Sequence, residues 1–99
     1  MSDWKTVLIY EDMQILVDRI KIKYRCEQGL VIAGIESEVI EDYYESQLSA
    51  GDLYKANKKA IDESVGAAIA PNIDRLSEFP ALLNISAAEF HQAMKQGGQ

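Results

Sequence analysis

The sequence predicts an all-α fold, a small helical bundle whose long N-terminal helix pairs with the next helix as a helical hairpin. Three observations predict it. Apolar residues recur with seven-residue spacing from Leu8 to Tyr24. Gly29 follows that segment, and glycine is common just after a helix. Later segments carry apolar residues at three- and four-residue spacing, as the buried face of a helix does. With 99 residues, we expect residues 1–99 to form a single helical domain.

The first helix depends on how the stretch IYEDMQILVDRIKIKYRCEQG, residues 9–29, is interpreted. In a seven-residue frame from Leu8, ten of twelve inner positions are apolar and eight of the nine others are polar. A strand needs an unbroken two-residue alternation, which VLIY and ILV interrupt. We therefore predict a helix from about Asp3 to Gln28. The alternative is an α+β fold with an N-terminal β-meander followed by helices, because RIKIKYRC alternates and β-branched residues favour strands.

Four shorter helices follow in this prediction. The second runs from about Ile35 to Ser49 and the third from about Leu53 to Ala70, with Asp52 or Ser49 as the N-cap of the third. Pro71 ends the third helix or opens a short one through Phe79. In ISAAEF, Ser86 and Glu89 form a capping box for the last helix, and KQGGQ reads as a frayed tail.

The charges are unevenly distributed along the chain. Arg19, Lys21, Lys23 and Arg25 precede a stretch from Cys26 to Tyr54 that contains no Lys or Arg and several acidic residues. In a helical hairpin, Arg25 would lie near Glu36 or Glu38, and Arg19 near Glu45. The formal net charge of −6 argues against nucleic acid or an anionic membrane as a direct partner.

No motif indicates catalysis, a cofactor or a metal. GLVIAG has two glycines five residues apart but lacks the Lys-Ser/Thr of a phosphate loop. His91 is the only histidine, and Cys26 is the only cysteine and fits a small buried apolar residue. We therefore expect no enzyme and no cofactor. A cytoplasmic location is expected because MSDWKTVLIY does not resemble a signal peptide.

The predicted function is a small acidic helical protein-interaction module, an adaptor, assembly factor or inhibitor that acts by binding another protein and self-associates as a homo-oligomer. Its size and composition are of a kind common among small proteins of phages and mobile elements. The alternative is an acidic decoy or immunity-type inhibitor that blocks the basic cleft of a nuclease or nucleic-acid-binding protein. The predicted partner-binding residues are a second apolar line on the first helix together with acidic and aromatic residues of the second: Leu8, Ile15, Ile22, Glu38, Glu41, Tyr44 and Glu45.

Overall fold

The chain folds as an α+β domain, so the predicted all-α bundle is wrong and the alternative with an N-terminal β-meander is correct. The computed structural model describes residues 4–97. After a 3₁₀ turn at Trp4–Thr6, it contains β1 (Ile9–Ile15), β2 (Arg19–Cys26), β3 (Gly29–Glu36), α1 (Ser37–Tyr44), α2 (Ala50–Ala56), α3 (Lys58–Ile69), a 3₁₀ helix (Ala70–Arg75), β4 (Ala81–Ile85) and α4 (Ala87–Gly97).

One four-stranded sheet, in the order β1-β2-β3-β4, is the centre of the fold. The first three strands form an antiparallel meander, and β4 pairs parallel to β3 after the chain has passed through α1, α2 and α3. β1 and β4 are therefore the two edge strands. A parallel neighbour requires a long crossover, which these three helices provide.

The N-terminal segment forms a β-meander because apolar and polar residues alternate along each strand. The alternation breaks only at a bulge in β1 and at the turn between β1 and β2. Glu11 is an extra residue at a bulge in β1, so Tyr10 and Met13 both face β2 residues of the core side. Leu16 and Val17, which contribute to the apolar seven-residue pattern, lie in the turn between β1 and β2, where Val17 is fully exposed. From Arg19 to Cys26, every second residue is buried, as in a half-buried strand.

Gly29 begins β3 after a two-residue turn instead of ending a helix. Its φ is +147°, a conformation that side chains disfavour, and a Cβ built there would lie 2.9 Å from Cβ of Phe79. The glycine thus permits both the turn and the close approach of the chain around Phe79. The helix start predicted at Asp3 lies outside the described residues.

The C-terminal half agrees better with the sequence. Ser49 is the N-cap of α2, since its hydroxyl accepts a hydrogen bond from Asp52 N at 3.2 Å. The predicted third helix is divided at Asn57 into α2 and α3. The capping box is confirmed, because Ser86 N donates to Glu89 Oε1 at 2.9 Å and Glu89 N donates to Ser86 Oγ at 3.2 Å. α4 continues through Gly97, so Lys95 and Gln96 are helical, whereas residues 98–99 of the predicted tail lie outside the described residues.

The core lies between one face of the sheet and the helices. Its strand residues are the inward half of each alternation, among them Ile20, Ile22 and Tyr24 of β2. The helices contribute Ile40, Leu53, Ile61, Val65, Phe90 and Met94. Every helix within residues 4–97 is too short or too polar to cross a lipid bilayer.

Candidate docking surface

On the second face of the sheet the residues of β2 and β3 are half-buried or exposed, because the core cluster lies on the other face. The register places four rows of side chains on this open sheet face, each running across the strands. The central row contains Asp12, Lys23, Ile32 and Leu82. The flanking rows contain Ile9, Arg25 and Leu30 on one side, Gln14, Lys21, Gly34 and Asn84 on the other, and then Arg19 with Glu36.

β2 presents a column of four cations on the open sheet face: Arg19, Lys21, Lys23 and Arg25. Arg25 forms a two-point contact with Glu11, with Nε–Oε2 at 2.5 Å and Nη2–Oε1 at 2.9 Å. The hydrogen bonds from Arg25 hold the pKa of the Glu11 carboxyl below its usual value. Arg19 lies 3.5 Å from its neighbour Asp18. For Lys21 and Lys23, residues 4–97 provide no carboxylate within 4.0 Å of the ammonium group, so neither forms an ion pair there, although the charge of Lys23 also helps to lower the pKa of Glu11.

An apolar strip borders the cation column on β3 and β4. It consists of Leu30 and Ile32, which are half-buried, and Leu82, which is 72% exposed. All-parallel sheets normally have both faces covered and their strands read as near-continuous apolar runs, whereas antiparallel sheets commonly have one face in solvent. β3 reads GLVIAGIE, with Val31 and Ile35 buried in the core and Leu30 and Ile32 on the other side. β3 and β4 therefore carry apolar side chains on both faces, whereas the core lies on only one of them.

The two edge strands differ in their protection against pairing with another chain. β1 carries the bulge at Glu11 and the acidic pair Glu11 and Asp12, both of which discourage strand addition. β4 reads ALLNI, without a charge or an irregular pairing. Beside it lies a groove of about 550 Å³, lined mainly by apolar and small side chains of α3, β4 and α4. β4 is thus the unprotected edge.

A buried polar cluster surrounds Asp62 of α3, on the opposite side of the sheet. Its carboxylate accepts hydrogen bonds from Tyr54 Oη and Lys58 Nζ, both at 2.5 Å, and its carbonyl accepts one from Tyr24 Oη at 2.6 Å. Burial, followed by the hydrogen bond to Asp62, raises the pKa of Tyr54. Burial, followed by the negative charge of Asp62, raises the pKa of Tyr24. Both phenols therefore stay protonated and donate to Asp62.

Lys58 connects this cluster to a second groove, of about 570 Å³, between the N-terminal segment and α3. Its ammonium lies 3.8 Å from the centre of the Tyr10 ring. Burial lowers the pKa of Lys58, but the hydrogen bonds to Asp62 and Tyr10 outweigh it, so the pKa lies above its usual value. The amine is protonated at neutral pH, which is the form that supports structure and not the form that acts as a nucleophile.

Trp4 forms one wall of the second groove. Its indole packs against the backbone of Gly66 so closely that a Cβ there would lie 2.6 Å from the ring. The ring also meets Tyr24 edge-on, with the ring centroids 6.1 Å apart. Gly66 therefore allows the N-terminal segment to pack on α3. Within residues 4–97, no three His, Cys, Asp or Glu side chains are grouped in a way that would hold a metal ion.

The structure separates the apolar residues predicted to bind a partner. Leu8 and Ile22 are fully buried in the core, and Ile15 is half-buried at its margin. They do not form a spare stripe on a helix, because Leu8 precedes β1 and the other two lie on adjacent strands and face inwards. Cys26 is buried at the end of β2.

The acidic and aromatic residues predicted to bind a partner lie around α1. Glu38 and Glu45 are exposed. Glu41 accepts a hydrogen bond from Ala50 N at 3.1 Å and so holds the start of α2. Tyr44 is half-buried and its ring meets that of Tyr43 edge-on at 4.9 Å. The predicted pairing of Arg25 and Arg19 with Glu36, Glu38 and Glu45 across a helical hairpin does not occur as ion pairs among the described residues.

Sequence reasoning missed the open sheet face as a surface. The signal for it is the alternation in RIKIKYRC, which places all four cations on one side and the apolar residues on the other. The helical interpretation instead directed Arg19 and Arg25 towards the acidic residues of the predicted second helix. No protein-family model, curated protein or solved structure matches this chain.

Proposed function

We propose that this protein acts by binding another protein and not by catalysis, and that the open sheet face is its docking surface. The observation that carries the proposal is the apolar strip, Leu30, Ile32 and Leu82, which lies on the face of the sheet that points away from the core. Apolar area bordered by charged side chains is the usual composition of a protein interface.

A photo-crosslinking amino acid placed at Ile32 tests this proposal in cells of the source organism. We expect a discrete adduct with another protein from this position, because Ile32 lies in the centre of the apolar strip. The matched control is the same amino acid at Lys55, which is exposed on α2, on the helical side of the molecule. No adduct at position 32, or the same adduct from both positions, would contradict the proposal.

Self-association is a second candidate, and the unprotected edge of β4 supports it. Antiparallel pairing of β4 with β4 of a second copy would continue the sheet, and no like charges would meet within ALLNI. We expect a dimer that dissociates when Leu82 and Asn84 are both replaced by Lys, because edge lysines discourage strand pairing. Sedimentation at several concentrations measures this. Replacement of Glu11 and Asp12 by Lys on the opposite edge is the control, and a monomeric wild-type protein would exclude the candidate.

The acidic-decoy alternative stays a prediction. Exposure of Glu38 and Glu45 supports it, since both carboxylates lie on the surface. The role of Glu41 in holding the start of α2 weakens it, because that carboxylate already has a partner within the chain. We therefore place the open sheet face ahead of the acidic surface as the docking site.

A further inference from the structure

We infer that the partner element that covers the open sheet face is an acidic amphipathic helix, which lies over β2 and β3 with its apolar stripe on Leu30, Ile32 and Leu82 and its carboxylates on Lys21 and Lys23. The inference rests on the proposed function and adds the chemistry of the partner. Three features of the open sheet face carry it: its charge, its layer architecture and its spacing.

The charge of the face specifies an acidic partner. Four of the ten Lys and Arg residues of a chain with a net charge of −6 lie in one column on β2. Arg25 and Arg19 are occupied by Glu11 and Asp18. Lys21 lies opposite Gln14 and Gly34 in the register, and Lys23 lies between Asp12 and Ile32. Two ammonium groups in the middle of the face therefore lack an ion-pair partner in the described part of the chain.

The layer architecture favours a helix over an extended segment. Helices on both faces are one of the stable layer architectures of a sheet, and the helices of this domain contribute their buried residues to one face only. The apolar strip is displaced by one strand from the cation column, because Ile32 pairs with Lys23. Adjacent strands are about 4.8 Å apart. A helix centred on β3 would place its apolar stripe on the strip, and its flank, about 5 Å from its axis, over the cations of β2.

The spacing of the cations along β2 is close to the spacing of residues four apart on a helix. Alternate residues of a strand are about 6.7 Å apart, which is the separation of Lys21, Lys23 and Arg25. Carboxylates four residues apart on a helix are about 6 Å apart along the axis. A line of Glu residues at that spacing can therefore meet successive cations of the column. Gly34 has no side chain and therefore leaves a shallow depression in the surface beside Lys21.

The composition of the face disfavours the two other anionic partners. Single-stranded nucleic acid binds sheets through aromatic side chains on which bases stack, and the rows of the open sheet face contain no aromatic residue among the described residues. An anionic membrane is broad and flat and would meet Glu11, Asp12 and Glu36 together with the cations, whereas a single helix is narrow enough to place its carboxylates on the lysines alone. The apolar strip offers complementary area to a protein side chain and none to a phosphate.

Binding of synthetic helices measured by fluorescence anisotropy tests the inference. The probe is a labelled alanine-based helix of about 18 residues, which spans about 27 Å, with a leucine stripe and a flanking line of Glu at four-residue spacing. The matched control peptide has Gln in place of every Glu. At an ionic strength of about 0.03 M, we expect the Glu peptide to bind about tenfold more tightly than the Gln peptide, and the difference to shrink at about 0.3 M.

The lysines are tested with matched pairs of neutral substitutions. In the variant Lys21→Gln/Lys23→Gln, the two peptides should bind equally. In the control Lys55→Gln/Lys59→Gln, which removes two exposed charges from α2 and α3, the tenfold preference should persist. Circular dichroism spectra that match the wild-type spectrum would show that each variant is folded.

Any of the following results would overturn the inference. Equal binding of both peptides to the wild-type protein would remove the acidic requirement, and an unchanged preference in the Lys21→Gln/Lys23→Gln variant would place the site elsewhere. Tighter binding of a single-stranded oligonucleotide or of anionic vesicles, lost in the same variant, would identify a different partner. If neither peptide binds but crosslinking at Ile32 yields a protein adduct, the inference fails and the proposed function stands. If crosslinking fails as well, both fail.

Discussion

Replacement of Asp62 by Ala should lower the free energy of unfolding by about 3 kcal/mol. The main cost is the Tyr54 hydroxyl, which is buried at 0% exposure and would lose the acceptor that lies 2.5 Å away. The pair between Asp62 and Lys58 contributes less, because the Lys58 side chain is 40% exposed and partly screened by solvent. For a domain of this size, such a loss lowers the Tm by about 12 °C or more.

Guanidinium unfolding of a double-mutant cycle measures this effect. The cycle combines Asp62→Ala with Tyr54→Phe, and we expect the double variant to be less destabilised than the sum of the single variants. The reason is that removal of both groups leaves no hydroxyl of this cluster without an acceptor. Glu78→Ala at an exposed carboxylate is the control and should change the free energy by less than about 0.5 kcal/mol. A loss below about 1 kcal/mol for Asp62→Ala would contradict the assigned role of the cluster.

The protein should lose stability steeply as the pH rises above about 10. Burial raises the pKa of Tyr24 and of Tyr54 above the ordinary phenol value of 10.0. In the unfolded chain both phenols ionise near that value, whereas in the folded chain they remain protonated. The stabilisation is therefore complete below about pH 9 and declines through the range above pH 10, by about 1.4 kcal/mol per pH unit for each tyrosine.

Unfolding curves at pH 8, 10 and 11 measure the decline. The variant Tyr24→Phe/Tyr54→Phe should show a flatter dependence, because it has removed the two groups that release protons on unfolding. The variant also loses two hydrogen bonds to Asp62, so its stability at pH 8 is lower and the slope, not the absolute value, is the result to compare. Equal stability of the wild-type protein from pH 9 to 11 would contradict the buried, protonated state of these phenols.

Local signals in the C-terminal half were sufficient to predict two of its helix starts. Ser49 and the pair Ser86 and Glu89 act through hydrogen bonds within three residues, so their geometry follows from the local sequence. β4 was missed because ALLNI is short and has only one β-branched residue, and its partner β3 lies about 50 residues earlier in the chain. A short strand of this kind is stabilised by the sheet it joins.

The prediction of a helix in the N-terminal half was wrong for a specific physical reason. A bulge at Glu11 and a turn at Leu16 and Val17 shifted the alternation twice, and each shift moved apolar residues into positions that fit a seven-residue repeat. Neither interruption has a glycine or proline to mark it, and Val17 is apolar although it is fully exposed. The proposed docking surface could not be predicted from the helical interpretation, because the direction of Lys21 and Lys23 depends entirely on the strand interpretation.

A cysteine-reactivity scan of β2 tests most directly whether the cations of β2 lie on an open sheet face. In a Cys26→Ala background, single cysteines are placed at each position from Arg19 to Arg25, and their rates of modification by a small thiol reagent are measured in the native state. The open sheet face predicts fast reaction at 19, 21, 23 and 25 and slow reaction at 20, 22 and 24. A maximum every three to four residues, or uniformly slow reaction at the four cation positions, would contradict an open face on this sheet.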